Sequence, residues 1–195
     1  MVDVKKVQSW LTLFGEKVTE NKEHLNQLDT AIGDGDHGSN LTRGAAAVKE
    51  KLDGQSYDEL TDLFKDVGMV LVSKVGGASG PLYGSAFISM AKEAKNDADL
   101  SQLITAGLDG IVKRGNAKTG EKTMVDMWSP VIDSIKDGSL SDESIDEILQ
   151  KTKDMKASKG RASYLGDRSI GHIDPGAQSS AYLFQALIEA GVINE

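Results

Sequence analysis

Apolar residues recur along this chain at intervals of three and four, the spacing that lines one face of an α-helix. Val4, Val7, Leu11, Phe14 and Val18 set the pattern. Leu41, Ala45, Val48 and Leu52 repeat it, as do Leu60, Phe64, Val67 and Leu71. Leu100, Ile104, Leu108 and Ile111 form the next stripe, followed by Met124, Met127 or Trp128, Val131 and Ile135. Ile145, Ile148, Thr152 and Met155 continue it, and Ala181, Leu183 or Phe184, Leu187 and Val192 close the series. Pro81 follows Gly80 and predicts the first position of a further helix running to Met90. Alternating strand patterns are scarce. The reading is all-α, with about eight helices, each apolar on one face. Short connections make an antiparallel, up-and-down assembly the simplest arrangement.

Three connections are rich in glycine: GDGDHGSN at 33–40, GGASGPLYG at 76–84, and the stretch 160–176. Glycine lets the chain turn sharply and lets a ligand approach the main chain. Each stretch taken singly reads equally well as a helix cap or a turn. Three in one small helical chain, one of them carrying clustered aspartates, point to a shared site.

Composition narrows the classes. A length of 195 residues suits one domain over 1–195, and no repeat or long linker divides it. Cysteine is absent, which removes disulfides, thiolate ligands and a cysteine nucleophile, and fits a reducing cytoplasm. The net charge of −8 argues against nucleic acid and anionic membranes as partners. No run reaches the roughly 18 apolar residues of a spanning helix, and the opening MVDVKKVQSW is not a signal peptide. A polyanionic ligand on so acidic a chain needs a local source of positive charge, either metal ions or a few arginines.

Asp29, Asp34 and Asp36 form D-x4-D-x-D, the last two among Gly33, Gly35 and Gly38. Carboxylates this close repel unless a cation lies between them. Mg²⁺ takes oxygen ligands, commonly a few carboxylates completed by water and substrate phosphates. A solvated acidic turn, with one aspartate capping the next helix, gives the same spacing. Calcium fits less well. Counting an EF-hand loop from Asp34, the fifth position is Gly38 and the twelfth is Ala45, and neither carries the required oxygen. Zinc lacks ligands, since the histidines are only His24, His37 and His172. The helix after the loop should begin near Gly38, Ser39 and Asn40, where unpaired amides and the helix dipole favour a phosphate. Ser39 or Asn40 would also serve as an N-cap.

GNAKTGEKT at 115–123 nearly spells a phosphate-binding P-loop, but Glu121 interrupts it before Lys122 and no strand precedes it. The P-loop is rejected; the Lys122-Thr123 pair stays open as a neighbour of a phosphate, with a surface lysine at a helix start the commoner case. Arg161 and Arg168, among glycines, compete as forks onto phosphate. Asp174-Pro175-Gly176 reads as the turn into the last helix. His37 and His172 are candidate phosphoryl acceptors or acid/base groups, although a lone histidine is more often a hydrogen-bonded structural residue.

GDGDHGSN, GGASGPLYG, KTMVDMW and GRASYLGDRSIGHIDPGA together resemble the ADP-binding L subunits of bacterial dihydroxyacetone kinases, in particular the multi-subunit form that depends on the phosphotransferase system. The resemblance spans nearly the whole chain in length and motif order. It implies a closed cylinder (barrel) of eight antiparallel amphipathic helices, with the nucleotide site in the loops at one end. It implies ADP/ATP and two Mg²⁺ as cofactors, with Asp29, Asp34 and Asp36 as metal ligands. Nucleotide contacts carry over to His37, Gly38, Ser39, Asn40, Ala78, Ser79, Gly115, Met124, Arg161, Asp174, Pro175 and Gly176. Gly35 and Ser39 depart from the side chains usual at those positions. The resemblance further implies that bound ADP takes a phosphoryl group from a phosphohistidine on an M subunit. The γ-phosphoryl then passes to dihydroxyacetone held by a K subunit, so no catalytic residue is assigned to this chain. Three other readings stay open: an ATP-dependent kinase subunit that exchanges free nucleotide, a nucleotide sensor that binds a transcriptional regulator, and a plain helical scaffold with acidic turns.

Overall fold

A computed structural model describes residues 2–193. Nine α-helices account for most of them: α1 (Val4–Glu20), α2 (Lys22–Ile32), α3 (His37–Asp53), α4 (Leu60–Lys74), α5 (Ser79–Glu93), α6 (Leu100–Gly115), α7 (Val125–Asp137), α8 (Asp142–Lys151) and α9 (Pro175–Glu189). Three short 3₁₀ segments cover Ala94–Asn96, Thr152–Asp154 and Arg161–Ser169. No strand occurs among the described residues.

Eight of the nine helices close a ring. α1 packs on α3, then α4, α5, α6, α7, α8 and α9 follow in order, and α9 returns to α1. Several neighbours are visibly antiparallel. Gly15 faces Ala45 while Gly38 meets the carbonyl of Lys22, and Gly84 faces Val72 while Gly80 meets the carbonyl of Val75. The apolar stripes read from the sequence line the ring's interior. Trp10, Leu63, Phe64, Phe87, Leu103, Trp128, Leu183 and Leu187 are sealed from water there. Full burial of such side chains is worth about 1.5–3 kcal/mol each, which is why the stripes organise the fold.

The ninth helix, α2, is a departure from the expected count. Only Leu25 and Ile32 are buried on it, so its apolar periodicity is too thin to read. It extends past the start of α3 and forms part of the rim. Two boundaries also differ. α5 begins at Ser79, which puts Pro81 third in the helix; its missing N–H falls in the first turn, where no helical partner exists. α8 stops at Lys151, so Thr152 is buried on a 3₁₀ turn and Met155 lies outside the helix.

Candidate functional site

α3, α5, α7 and α9 all begin at the same end of the ring. Residues from each of those starts line one cavity of about 630 Å³. His37 and Asn40 come from α3, Ser79 and Leu82 from α5, Met124 and Val125 from the start of α7, and Pro175 and Gly176 from α9. Helix N-termini carry partial positive charge and unpaired amides. Four of them around one space make it receptive to anions even in an acidic protein.

At the mouth of this cavity the α2–α3 loop brings Asp29, Asp34 and Asp36 together. One carboxylate oxygen from each lies within 4.8 Å of the other two. The loop is shaped by its glycines. Gly35 sits at φ +79°, and a Cβ on Gly33 would fall 2.1 Å from Asp29 Oδ1. Asp29 also organises the turn, because its Oδ2 accepts from the backbone N–H of Asp36 (2.9 Å) and of His37 (3.1 Å). The donor set is all carboxylate, with no sulfur. That suits a hard divalent cation such as Mg²⁺ and disfavours zinc.

The start of α3 differs from expectation. The helix begins at His37, with Asp36 in the N-cap position making no side-chain cap. Capping is supplied instead from α2: Asn26 Oδ1 accepts from Ser39 N (3.0 Å), and Asn26 Nδ2 donates to Ser39 Oγ (3.0 Å). Neither Ser39 nor Asn40 is the N-cap. The amides of His37 and Ser39 are taken by Asp29 and Asn26, which leaves less free donor capacity here than the sequence suggested.

Of the residues expected at a nucleotide, His37, Asn40, Ala78, Ser79, Gly115, Met124, Arg161, Asp174, Pro175 and Gly176 all border the cavity, as do the three aspartates. Gly38 and Ser39 do not, being turned toward α2. Arg161 reaches the aspartate cluster directly, its Nη1 2.8 Å from Asp34 Oδ2. Arg168 and His172 are exposed and lie outside the cavity lining. Sequence reasoning missed Arg114 and Lys159, two further cations on the wall. Ile111, Pro81 and Leu82 supply an apolar stretch suited to a flat ring.

His37 is hydrogen-bonded deep into the ring. Its Nε2 lies 2.9 Å from Ser179 Oγ, which is 2.7 Å from Tyr83 Oη. Tyr83 also meets Ser180 Oγ at 3.0 Å, and Trp128 Nε1 donates to the same Ser180 oxygen. An indole nitrogen only donates. The arrangement that leaves no hydroxyl proton idle therefore runs from Trp128 through Ser180 and Tyr83 to Ser179. Burial pulls the His37 pKa down to about 4 against an opposing push from Asp36, so the imidazole is neutral near pH 7. Asp174 caps α9 through Ala177 N (2.7 Å), and burial, aided by the nearby Asp126, raises its carboxyl to about 7.

Lys122 corrects the sequence reading. It is 1% exposed, not a surface lysine, and its ammonium is surrounded by main-chain carbonyls. Asp126, beside it in sequence, accepts from Thr123 N (2.8 Å) and from Gly120 N, which fixes the turn before α7.

The DAK2 domain family matches residues 31–189. The chain is 55% identical over 187 residues to the ADP-binding subunit DhaL of the PEP-dependent dihydroxyacetone kinase 1 of Listeria innocua, covering 94% of each chain. The chain belongs to the DAK2 family, among its DhaL-type subunits. It is also 51% identical to the ADP-binding subunit DhaL of the PTS-dependent dihydroxyacetone kinase of Lactococcus lactis, covering 97% of this chain and 98% of that one. Among solved structures, the dihydroxyacetone kinase of C. freundii in complex with AMP-PNP and Mg²⁺ superimposes with a TM-score of 0.78 at 26% identity. That match covers 97% of this DhaL-type chain but only 34% of the kinase, so it corresponds to about a third of that protein. No helix among the described residues of this DhaL-type chain is long and apolar enough to cross a membrane.

Proposed function

We propose that this subunit is a phosphoryl carrier. It holds ADP as a resident cofactor, accepts a phosphoryl group from a phosphohistidine on an M subunit, and delivers it to dihydroxyacetone held by a K subunit. The observation that carries the reading is the meeting of three carboxylates with Arg161 at the mouth of a cavity ringed by four helix N-termini. The relatives add the chemistry: they are named as ADP-binding subunits of PEP- or PTS-dependent dihydroxyacetone kinases.

Asp29, Asp34 and Asp36 would hold Mg²⁺, two ions by the family resemblance, whose role when bound is to offset phosphate charge. The remaining work falls to the chain. Phosphoryl transfer asks a protein for positioning and charge balance more than for covalent participation. Arg161 would grip the phosphate tail at the rim, and the uncapped start of α5 at Ser79 would orient the rest, since the first-turn amides of α7 and α9 are taken by Thr123, Met124 and Asp174. Pro81, Leu82 and Ile111 would shelter the base. Neutral His37, fixed through Ser179, serves as a hydrogen-bonding wall group and not as a phosphoryl acceptor. Because the carboxylates and Arg161 sit at the mouth, the terminal phosphate would face outward, where two partner proteins can dock in turn.

The test begins with the ultraviolet spectrum and mass of whatever leaves the purified protein on denaturation. A stoichiometric adenine nucleotide is expected. With the K and M partners added, label from phosphorylated M subunit should reach the bound nucleotide and then dihydroxyacetone without passing through free ATP. Rapid exchange with ATP in solution, and transfer without a phosphohistidine donor, would overturn the carrier reading in favour of an ordinary ATP-dependent kinase subunit.

A further inference from the structure

Lys122 has a cation's position in the cavity wall but no carboxylate partner in its first contacts. Its Nζ donates to the carbonyls of Thr152 (2.7 Å) and Met155 (3.0 Å), and to that of His172. Lys153 O lies farther off at 3.4 Å. An ammonium has three protons, and the three nearer carbonyls match them. Burial pulls its pKa below the usual lysine value, while Asp174 and Asp154 favour the charged form from a distance. The residue's own backbone is left-handed, at φ +60°, which a side-chain-bearing residue rarely adopts. Local sequence alone does not favour such a conformation. Something in the tertiary structure holds it.

The acceptors explain what. Thr152 and Met155 stand where the chain leaves α8, and His172 stands where it returns to α9. Between Met155 and His172 lies an excursion whose only buried residues are Ala157 and Ser169. Those two meet each other at its neck, Ala157 N donating to Ser169 Oγ (2.9 Å). Gly171 N donates to Lys153 O (2.7 Å) at the same neck. The excursion therefore has almost no apolar anchor of its own, and it carries Lys159 and Arg161 to the cavity.

We propose that Lys122 is a positioning residue that clasps both feet of the 155–172 excursion and so holds Arg161 and Lys159 over the ligand. One point charge with three convergent donors joins entry and exit segments that otherwise meet through the neck hydrogen bonds and the exposed Lys156–Asp167 pair (2.8 Å), with Ser158 N tied to Glu121 O (3.2 Å) beside Lys122. Neither an apolar side chain nor a planar guanidinium supplies three donors at one point.

The affinity part of this proposal rests on the nucleotide-carrier reading; the loop part does not. The experiment uses the full chain with Lys122→Met and Lys122→Arg. Circular dichroism reports the helices, trypsin reports the excursion through cuts after Lys156, Lys159 and Arg161, and calorimetry reports MgADP. Helical content should hold, while loop cleavage should speed up about tenfold or more as the local opening becomes easier. MgADP should bind about tenfold more weakly or worse, and Arg161→Ala added to Lys122→Met should weaken it less than about threefold further, because both changes remove the same contact. Unchanged cleavage in both variants, or full additivity with Arg161→Ala, would overturn the clasp. Collapse of both variants would overturn it too, since Lys122 would then support the whole fold and not the arm. A wild-type chain that binds no MgADP, beside a Lys122→Met loop that still loosens, would sink the carrier reading and leave the clasp standing.

Discussion

Arg161 Nη1 rests 2.8 Å from Asp34 Oδ2, joining the excursion before α9 to the acidic loop before α3. The two side chains are 68% and 38% exposed, so the pair itself contributes at most about 1 kcal/mol. Its interest is positional. It places a guanidinium against the carboxylate cluster, where a bound phosphate would offer that guanidinium a stronger, bidentate partner.

Arg161→Ala should therefore weaken MgADP binding by about 1.5–3 kcal/mol, the range of a hydrogen bond to a charged group. Mg²⁺ alone should bind at least as well as before, because Asp34 loses a competing cation. Arg168→Ala should change neither, since Arg168 lies outside the cavity lining. Titration calorimetry on the three proteins separates these outcomes. Equal losses in both arginine variants would remove the special place given to Arg161.

The three aspartates should not behave alike. Asp29 accepts two backbone N–H groups as well as facing the cluster. Asp29→Ala should cost about 1 kcal/mol of stability, the scale of a lost helix cap, along with metal affinity. Asp34→Asn and Asp36→Asn should reduce Mg²⁺-dependent nucleotide binding with little loss of stability, since less charge repulsion remains. Thermal melts without metal, paired with calorimetry, test this. A large fall in Tm for Asp34→Asn would contradict the assignment.

Half-buried His37 and buried Asp174 should leave opposite marks on stability between pH 4 and 6.5. His37 has its pKa lowered from 6.5 to about 4, so its contribution is full above pH 6.5 and is lost as pH falls toward 4. Asp174 has its pKa raised from 3.8 to about 7, so folding favours its protonated form and stability is gained as pH falls from 7 toward 3.8. The two trends largely offset one another in the natural chain. Asp174→Asn can still cap α9 through its carbonyl oxygen but no longer titrates. In that variant the His37 effect should stand alone, as a loss of about 3 kcal/mol by pH 4. Urea denaturation at several pH values would show it, and a flat profile in Asp174→Asn would refute it.

The buried chain from Trp128 to His37 predicts a structural cost. Tyr83→Phe removes the hydroxyl shared by Ser179 and Ser180 and leaves both without their common partner. Stability should fall by about 1–3 kcal/mol, as for an unsatisfied buried polar group. Chemical denaturation measures it directly. A neutral result would mean that the serines find other partners, such as the Gly176 carbonyl already 3.1 Å from Ser179 Oγ.

Several features were legible before any coordinates. Helix faces such as Val7, Leu11, Phe14 and Val18 could be read because one buried side repeats every turn, and a ring of helices requires just that. Asp34 and Asp36 could be read because two residues of separation across a glycine turn brings carboxylates together whatever the rest of the chain does. α2 was not legible, because Leu25 and Ile32 are too few to set a period. Asn26 was not legible as the cap of α3, because it reaches Ser39 from another helix. Lys122 was misread as a surface residue because nothing next to it in sequence is what it binds.

The periodic apolar faces, the glycine turns and the acidic cluster are local properties of the chain, since each depends on residues within a few positions of one another. The sequence also carried the family resemblance. Tertiary structure alone decided that four helix starts share one cavity, that Arg161 meets Asp34, and that Lys122 gathers the carbonyls of Thr152, Met155 and His172. Those contacts join segments distant along the chain, and only closure of the ring brings them within hydrogen-bonding range.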